Sequence, residues 1–328
     1  MQLTRKEFLR AAGVAGAAAA LAPFGGPGAF AQAYPSEDIR IICAFPAGSG
    51  ADVLVRFFAE KLKPYARRNV IVENKVGAGG WIAIEHVARS KPDGHTMLLL
   101  GANAVAATMS LFKNPSIDVG KTIQVAATIN RQPFMVVVPT DSPFKTVGEL
   151  TAAMKAKGDK ASYASAAPAG RIMGELYKAA TGVQAVEVVY KTASDSLNDL
   201  TSGRVDYGMH DPVFALAQLR EKRLKVLGVS TGKRLEAVPE LPTMKEQGVD
   251  MDLTLWWAAM VPQGTPRPVL EQLNKWFVEI VSSDESRKFL GSFGGDPNVQ
   301  TIDDAQKAFI RDIGVWREYI KIAKIEPQ

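Results

Sequence analysis

From Ile39 almost to the C-terminus, short runs rich in β-branched residues alternate with longer stretches whose apolar residues recur at helical spacing. Residues 39–44 (IRIICA) read as a first strand, and a glycine loop over 45–51 leads into a helix with Val53, Phe57, Phe58 and Leu62 on its apolar positions. Residues 69–73 read as a second strand, 74–80 as a second glycine loop, 81–90 as a second helix and 96–100 as a third strand. Residues 134–139 (FMVVVP) form a strand stopped by proline, and Thr146 followed three residues later by Glu149 is a capping box that opens a new helix. The series then restarts, with strands expected at 161–165, 185–190, 205–209 and 225–230 and helices between them. Alternation of this kind belongs to α/β architectures with mostly parallel sheets flanked by helices, and a series that begins anew in mid-chain marks a second lobe.

Residues 253–261 (LTLWWAAMV) read as a buried strand that ends in the turn Gln263-Gly264-Thr265-Pro266. The remainder, 267–324, reads as helices, with Val269, Leu273, Trp276, Phe277 and Ile280 on one apolar face and Ala308, Phe309, Ile313 and Trp316 on another. Helices with no strands of their own need a sheet built elsewhere, which places them on the first lobe. The expected organisation is lobe one from 34–136 plus 257–328 and lobe two from 137–256. The crossings fall near 136–139 and 253–257, and two crossings make a hinge.

The first 33 residues differ in kind. Arg5, Lys6 and Arg10 precede an apolar stretch over 11–22, followed by Pro23, a glycine-rich break and Ala29-Phe30-Ala31. Basic region, apolar core and small-residue cleavage site make an export signal, cut after Ala31 or Ala33. Thr4-Arg5-Lys6-Glu7-Phe8-Leu9-Arg10 is close to a twin-arginine signal with lysine in the second place. No later run reaches the roughly 20 apolar residues of a membrane span, so a soluble, periplasmic mature protein is expected. Removing three basic residues and one acidic residue with the signal lowers the formal charge from +5 to +3. That balance, with no basic cluster beyond Arg67-Arg68, speaks against a nucleic-acid partner. Cys43 is the only cysteine, which rules out an intrachain disulfide.

Ligands of doubly wound sheets bind outside the carboxyl ends of the strands, where loops lead into helix starts. Two such loops are glycine-rich here: Phe45-Pro46-Ala47-Gly48-Ser49-Gly50-Ala51-Asp52 and Gly77-Ala78-Gly79-Gly80. Glycine lets backbone N–H groups approach a ligand, and the helix start adds about half a positive charge, so an anion or the carboxylate of a small acid is the natural guest. A nucleotide is not. Three positions after Gly50 stands Val53 and after Gly79 stands Ile82, where a dinucleotide fingerprint needs glycine, and neither loop ends in Gly-Lys-Ser/Thr.

Enzyme chemistry leaves little trace. His86, His95 and His210 are the only histidines and lack metal-ligand spacing, Gly48-Ser49-Gly50 lacks the residues of a nucleophile elbow, and Cys43 lies inside a strand. No catalytic residue, cofactor or metal ligand is assigned. Of Trp256 and Trp257, at least one is ordinary core. An enzyme on the same lobes would need Asp52 or Asp211 as its base, and no partner nucleophile is evident.

Eight motifs run in order along the chain: Phe45 to Asp52 (FPAGSGAD), Val72 to Gly80 (VENKVGAGG), Pro92 to Thr96 (PDGHT), Tyr163-Ala-Ser165, Val189-Tyr-Lys191, Gly203-Arg-Val-Asp206, Pro239 to Thr243 (PELPT) and Pro262 to Pro266 (PQGTP). Together they resemble the Bug family of periplasmic solute receptors, the binding proteins of tripartite tricarboxylate transporters, from about Tyr34 onward. The resemblance implies a two-lobed periplasmic-binding-protein fold of the type II-like, Venus flytrap kind, acting as a monomer with membrane transporter subunits as partners. It implies a di- or aromatic carboxylate held by Phe45, Ala47, Gly48, Ser49, Gly50, Asp52, Gly77, Ala78, Gly79 and Gly80 of lobe one. On lobe two it implies Ser165, Ala166, Gly170, Arg171, Tyr190 and Asp211. A sensor that reports the same ligand to a signalling partner fits these residues equally. One departure stands out: where the family has a glycine- and hydroxyl-rich run after Tyr-Ala-Ser, this chain has Ala166-Ala-Pro-Ala-Gly-Arg171. An inward Arg171 favours a second carboxylate held bidentately; an outward one favours an apolar or aromatic tail.

Overall fold

The computed structural model describes residues 34–166 and 168–327; the export signal expected over 1–33 lies outside the described residues. The apolar runs of the N-terminal third become parallel strands because helices cover the sheet they form. β1 (Ile39–Cys43) pairs in parallel with β2 (Val70–Asn74) and β3 (Thr96–Gly101), with Ile41 opposite Val72 on one side and Met97 on the other. Between them run α1 (Gly50–Ala66) and α2 (Trp81–Ala88), and α3 (Ala102–Leu111) and the single turn α4 (Val119–Thr122) follow. β4 (Ile123–Gln132) was not read from the sequence, although all but one of its first eight residues are buried.

The chain then passes into a second sheet with β5 (Met135–Pro139), α5 (Val147–Lys157), β6 (Ser162–Ser165), α6 (Pro168–Thr181), β7 (Val186–Val189), α7 (Leu197–Thr201), β8 (Tyr207–His210), α8 (Pro212–Arg220) and β9 (Leu224–Val229). It returns through β10 (Leu255–Pro262) and ends in α9 (Arg267–Ser282), α10 (Asp284–Ser292), the short β11 (Asp296–Pro297) and α11 (Ile302–Ile322). Strand order is β11-β4-β10-β3-β1-β2 in the first sheet and β7-β6-β8-β5-β9 in the second.

Both sheets are mixed rather than mostly parallel. β10 lies antiparallel to β3 and β4, β11 to β4, and β5 to β8 and β9. The reason is connectivity: only strands joined by a helical crossover come out parallel, and the strands that carry the chain between sheets have no such crossover. Residues 136–139, expected at a crossing, lie inside β5 and are paired with β9, Val136 and Val137 with β8 as well. The change of sheet comes just before them, between Gln132 and Met135, and again between Val229 and Leu255.

α9 and α11 pack on β4 of the first sheet, as their unpartnered apolar faces required, and α11 also reaches α6 of the second. One buried cluster runs from Ile42, Leu98 and Leu100 through Trp256, Leu253 and Met251 to Tyr163, Tyr177 and Tyr207, so the two lobes share core on one side. No described helix is long and apolar enough to cross a membrane.

Candidate functional site

The first glycine loop is built around one carboxylate. Ser49 caps α1, its Oγ accepting from the Asp52 amide at 3.2 Å. Asp52, 1% exposed, turns its own carboxylate back under the loop. Oδ2 accepts from the Gly48 amide at 2.8 Å and from Arg56 Nε at 2.8 Å, and Oδ1 accepts from Asn74 Nδ2 at 2.7 Å. Hydrogen bonding to Arg56 outweighs burial and holds the Asp52 carboxyl down at about 2. Asn74, the last residue of β2, also donates to the Phe45 carbonyl at 2.9 Å, and its Oδ1 accepts from Arg56 at 2.9 Å. Asp52, Arg56 and Asn74 thus tie the first loop to the root of the second. Sequence reading assigned Asp52 to the ligand and missed the other two; the signal available was Asn74 as the first residue of the second glycine loop.

With Asp52 turned inward, the loop offers backbone. By helix geometry the first amides of α1 have no acceptor within the helix. Ser49 takes that of Asp52, and those of Gly50 and Ala51 lie at the open end. Ala47, Gly48 and Gly50 are exposed, and a Cβ built on Gly48 (φ 81°) meets nothing within 4 Å. The Phe45 ring stacks on Trp257, centroids 6.0 Å apart, which walls the loop with aromatic surface.

The second loop holds four successive residues in the left-handed region, Gly77 (φ 137°), Ala78 (φ 46°), Gly79 (φ 60°) and Gly80 (φ 97°). Only Ala78 bears a Cβ there, and that conformation is disfavoured for a side chain. Gly77 is required by its backbone conformation, since a Cβ there would meet only the movable tip of the exposed Ile82 side chain, and Gly79 opens onto empty volume. Gly80 seats the start of α2 against Ala44 and Leu100. The two loops therefore stand side by side at the carboxyl ends of β1 and β2, each leading into a helix start.

At the carboxyl ends of β6, β7 and β8 the second sheet presents the other group of sequence-assigned residues. Ser165, 1% exposed, donates its hydroxyl to Glu187 Oε1 at 2.5 Å. Arg171 places Nε 3.3 Å from Glu187 Oε2 and donates from its far nitrogen to the Lys324 carbonyl at 3.4 Å. Glu187, on β7, was not singled out from the sequence. Gly170 is buried with Met209 O 2.7 Å from the place of a Cβ, so it serves the close packing of α6 on β8. Tyr190 donates to Asp199 at 2.8 Å, and burial and that carboxylate push its hydroxyl up to about 12. Asp211 caps α8, accepting from the Phe214 amide at 3.0 Å. Ala166 is half-buried on the rim. Ser165, Ala166, Pro168, Arg171, Glu187, Val189 and Ile325 line an open pocket of about 280 Å³.

The reactive side chains are occupied by structure. Cys43 is fully buried, and burial pushes its thiol up. His210 is buried against Ser196 Oγ at 3.0 Å, and burial lowers it from 6.5 to about 4, which keeps the ring neutral. The Glu37, Asp93 and His95 ligand atoms lie within 4.8 Å of one another, with Glu37 exposed and His95 buried.

Comparison with known proteins agrees with this geometry and with the motif resemblance. The family described as TctC, the tripartite tricarboxylate transporter family receptor, matches residues 54–325. A UPF0065 protein of Bordetella bronchiseptica is 30% identical over 305 residues, covering 92% of this chain and 90% of the relative. Among solved structures, Rpa4515 of R. palustris, determined with adipate, is 26% identical with a TM-score of 0.76 and covers 90% of this chain and 100% of that one. The periplasmic binding protein BugD is 30% identical with a TM-score of 0.71, again over 90% of this chain and 100% of the other. Family match, sequence relatives and two-lobed structural neighbours converge: the chain belongs to the tripartite tricarboxylate transporter family of solute-binding receptors.

Proposed function

We propose that this receptor works outside the cytoplasm as a monomer without chemistry of its own, taking up a small organic carboxylate and presenting it to the membrane subunits of a tripartite transporter. The observation that carries this reading is the pair of glycine loops fastened together by Asp52, Arg56 and Asn74. That fastening spends the local acid on the scaffold and leaves helix-start amides to meet an anionic head group. A related receptor, Rpa4515, was solved with the dicarboxylate adipate, which supports an organic acid as the class of guest.

In this reading the head group docks on the Gly50 and Ala51 amides at the start of α1, beside Gly48 and Gly79, where a Cβ would meet nothing within 4 Å. Lobe two closes about the segments 133–134 and 230–254, bringing Ser165, Ala166 and Arg171 against the far end. Closure is populated only to the extent that the ligand binds the closed form more tightly than the open one. Residues 1–33 act as the cleaved export signal.

The test is a thermal-shift screen of protein lacking residues 1–33 against mono-, di- and tricarboxylates and aromatic acids. A ligand at a hundredfold excess over its Kd stabilises by about 2.7 kcal/mol, a rise of a few degrees for a chain this size. Gly79→Val, which puts a branched side chain at φ 60° into the open volume, is expected to abolish the shift. A screen in which no acid raises the melting temperature would sink the reading.

A further inference from the structure

The lobe-two rim contains two groups suited to a second ligand carboxylate, the Arg171 guanidinium and the Ser165 hydroxyl, and one internal acid engages both. Glu187 sits on β7 directly opposite Tyr163 of β6 in the parallel register. Its Oε1 receives the Ser165 hydroxyl at 2.5 Å and its Oε2 lies 3.3 Å from Arg171 Nε. The other end of the guanidinium turns away to the Lys324 carbonyl. What remains around the 280 Å³ pocket is Ala166, Pro168, Val189 and Ile325, with Val189 69% exposed. A carboxylate entering this space would meet the Glu187 oxygens at close range and compete with them for a guanidinium already within ion-pair distance of that acid, whereas an alkyl or aryl group would cover exposed apolar surface without disturbing either pair.

We infer that the lobe-two end of the cleft takes an apolar tail and rejects a second carboxylate, and that Glu187 is the residue that sets this preference. The inference rests on the reading that lobe one holds a carboxylate head. It makes the preferred guest a monocarboxylate with an alkyl or aromatic body and sets this chain apart from a diacid receptor.

Isothermal titration with matched acids tests it: hexanoate against adipate, and benzoate against terephthalate. The wild-type protein is expected to bind each monoacid at least tenfold more tightly than its diacid partner. Glu187→Gln keeps an acceptor for Ser165 while removing the charge, and is expected to improve diacid affinity about tenfold with monoacid affinity changed less than threefold. A wild-type preference for adipate or terephthalate would overturn the inference without any variant, and so would an unchanged ratio in a Glu187→Gln protein that melts like the wild type. Absence of binding by all four acids would also overturn this inference, which needs a monoacid to bind, and only a thermal-shift screen that is blank for every acid would take the receptor reading with it.

Discussion

At the scale of the residue, the two glycine loops depend on side chains that turn away from their open face. Asp52 and Asn74 share one hydrogen bond at 2.7 Å and each makes a separate bond to the first loop, to the Gly48 amide and the Phe45 carbonyl. Removing either leaves the other's polar groups without their partner in a half-buried setting, a loss of about 1–3 kcal/mol. Asp52→Ala and Asn74→Ala are each expected to lower stability by about that amount and to weaken ligand binding. Because both act on the same loop, the double variant is expected to fall short of the sum by about 1 kcal/mol or more. A double-mutant cycle by urea denaturation measures this. Strictly additive effects would mean that the two loops are positioned independently. The glycines of these loops were legible in the sequence because glycine adopts left-handed backbone far more readily than any residue with a Cβ. The direction of the Asp52 carboxylate was not, because nothing in the string FPAGSGAD tells an acid that faces a ligand from one that holds its own loop.

At the scale of the element, the same chemical change has opposite consequences in two helices. Gly170 lies in the first turn of α6 with the Met209 carbonyl 2.7 Å from the place a Cβ would occupy, while Gly314 lies exposed within α11 with nothing inside 4 Å. Gly170→Ala forces helix and strand apart against backbone, an overpacking cost of about 1–3 kcal/mol. Gly314→Ala meets no neighbour and gains about 0.5–1 kcal/mol from helix propensity. Denaturation midpoints of the two variants are expected to move in opposite directions, and a stable Gly170→Ala protein would show that α6 is less tightly seated on β8 than its geometry indicates. The elements themselves were mostly readable, since β1, β2, β3 and β5 to β9 are short apolar runs between turn signals. β4 escaped because its run, IQVAATINRQ, is broken by alanine and threonine and ends in polar residues. Its strand character comes from lying between β10 and β11. Sheet direction escaped for the related reason that it is set by where β10 inserts, a long-range event with no local signature.

At the scale of the whole molecule, the lobes are less independent than two separate sheets suggest. The buried cluster passes without a break from the first sheet through Trp256, Leu253 and Met251 into the tyrosine-rich core of the second. α11 strengthens that join: Asp312 accepts from Asn103 at 3.0 Å and from Trp256 Nε1 at 2.8 Å, and Tyr319 donates to the Asp252 carbonyl at 3.2 Å, so the helix grips both the first lobe and the return crossing. A lobe that unfolded alone would expose its half of this shared apolar surface to water, at about 25 cal/mol per Å², and the surviving lobe would expose the other half. Partial unfolding is therefore penalised twice, once on each side of the join. Calorimetry is expected to record a single transition whose calorimetric and van't Hoff enthalpies agree, as for one cooperative unit, and a ligand bound between the lobes is expected to move that transition as a whole. Two resolved peaks, with only one displaced by ligand, would mean that the join is too weak to couple the lobes and that closure is free rotation about the crossings rather than a bend against a common core.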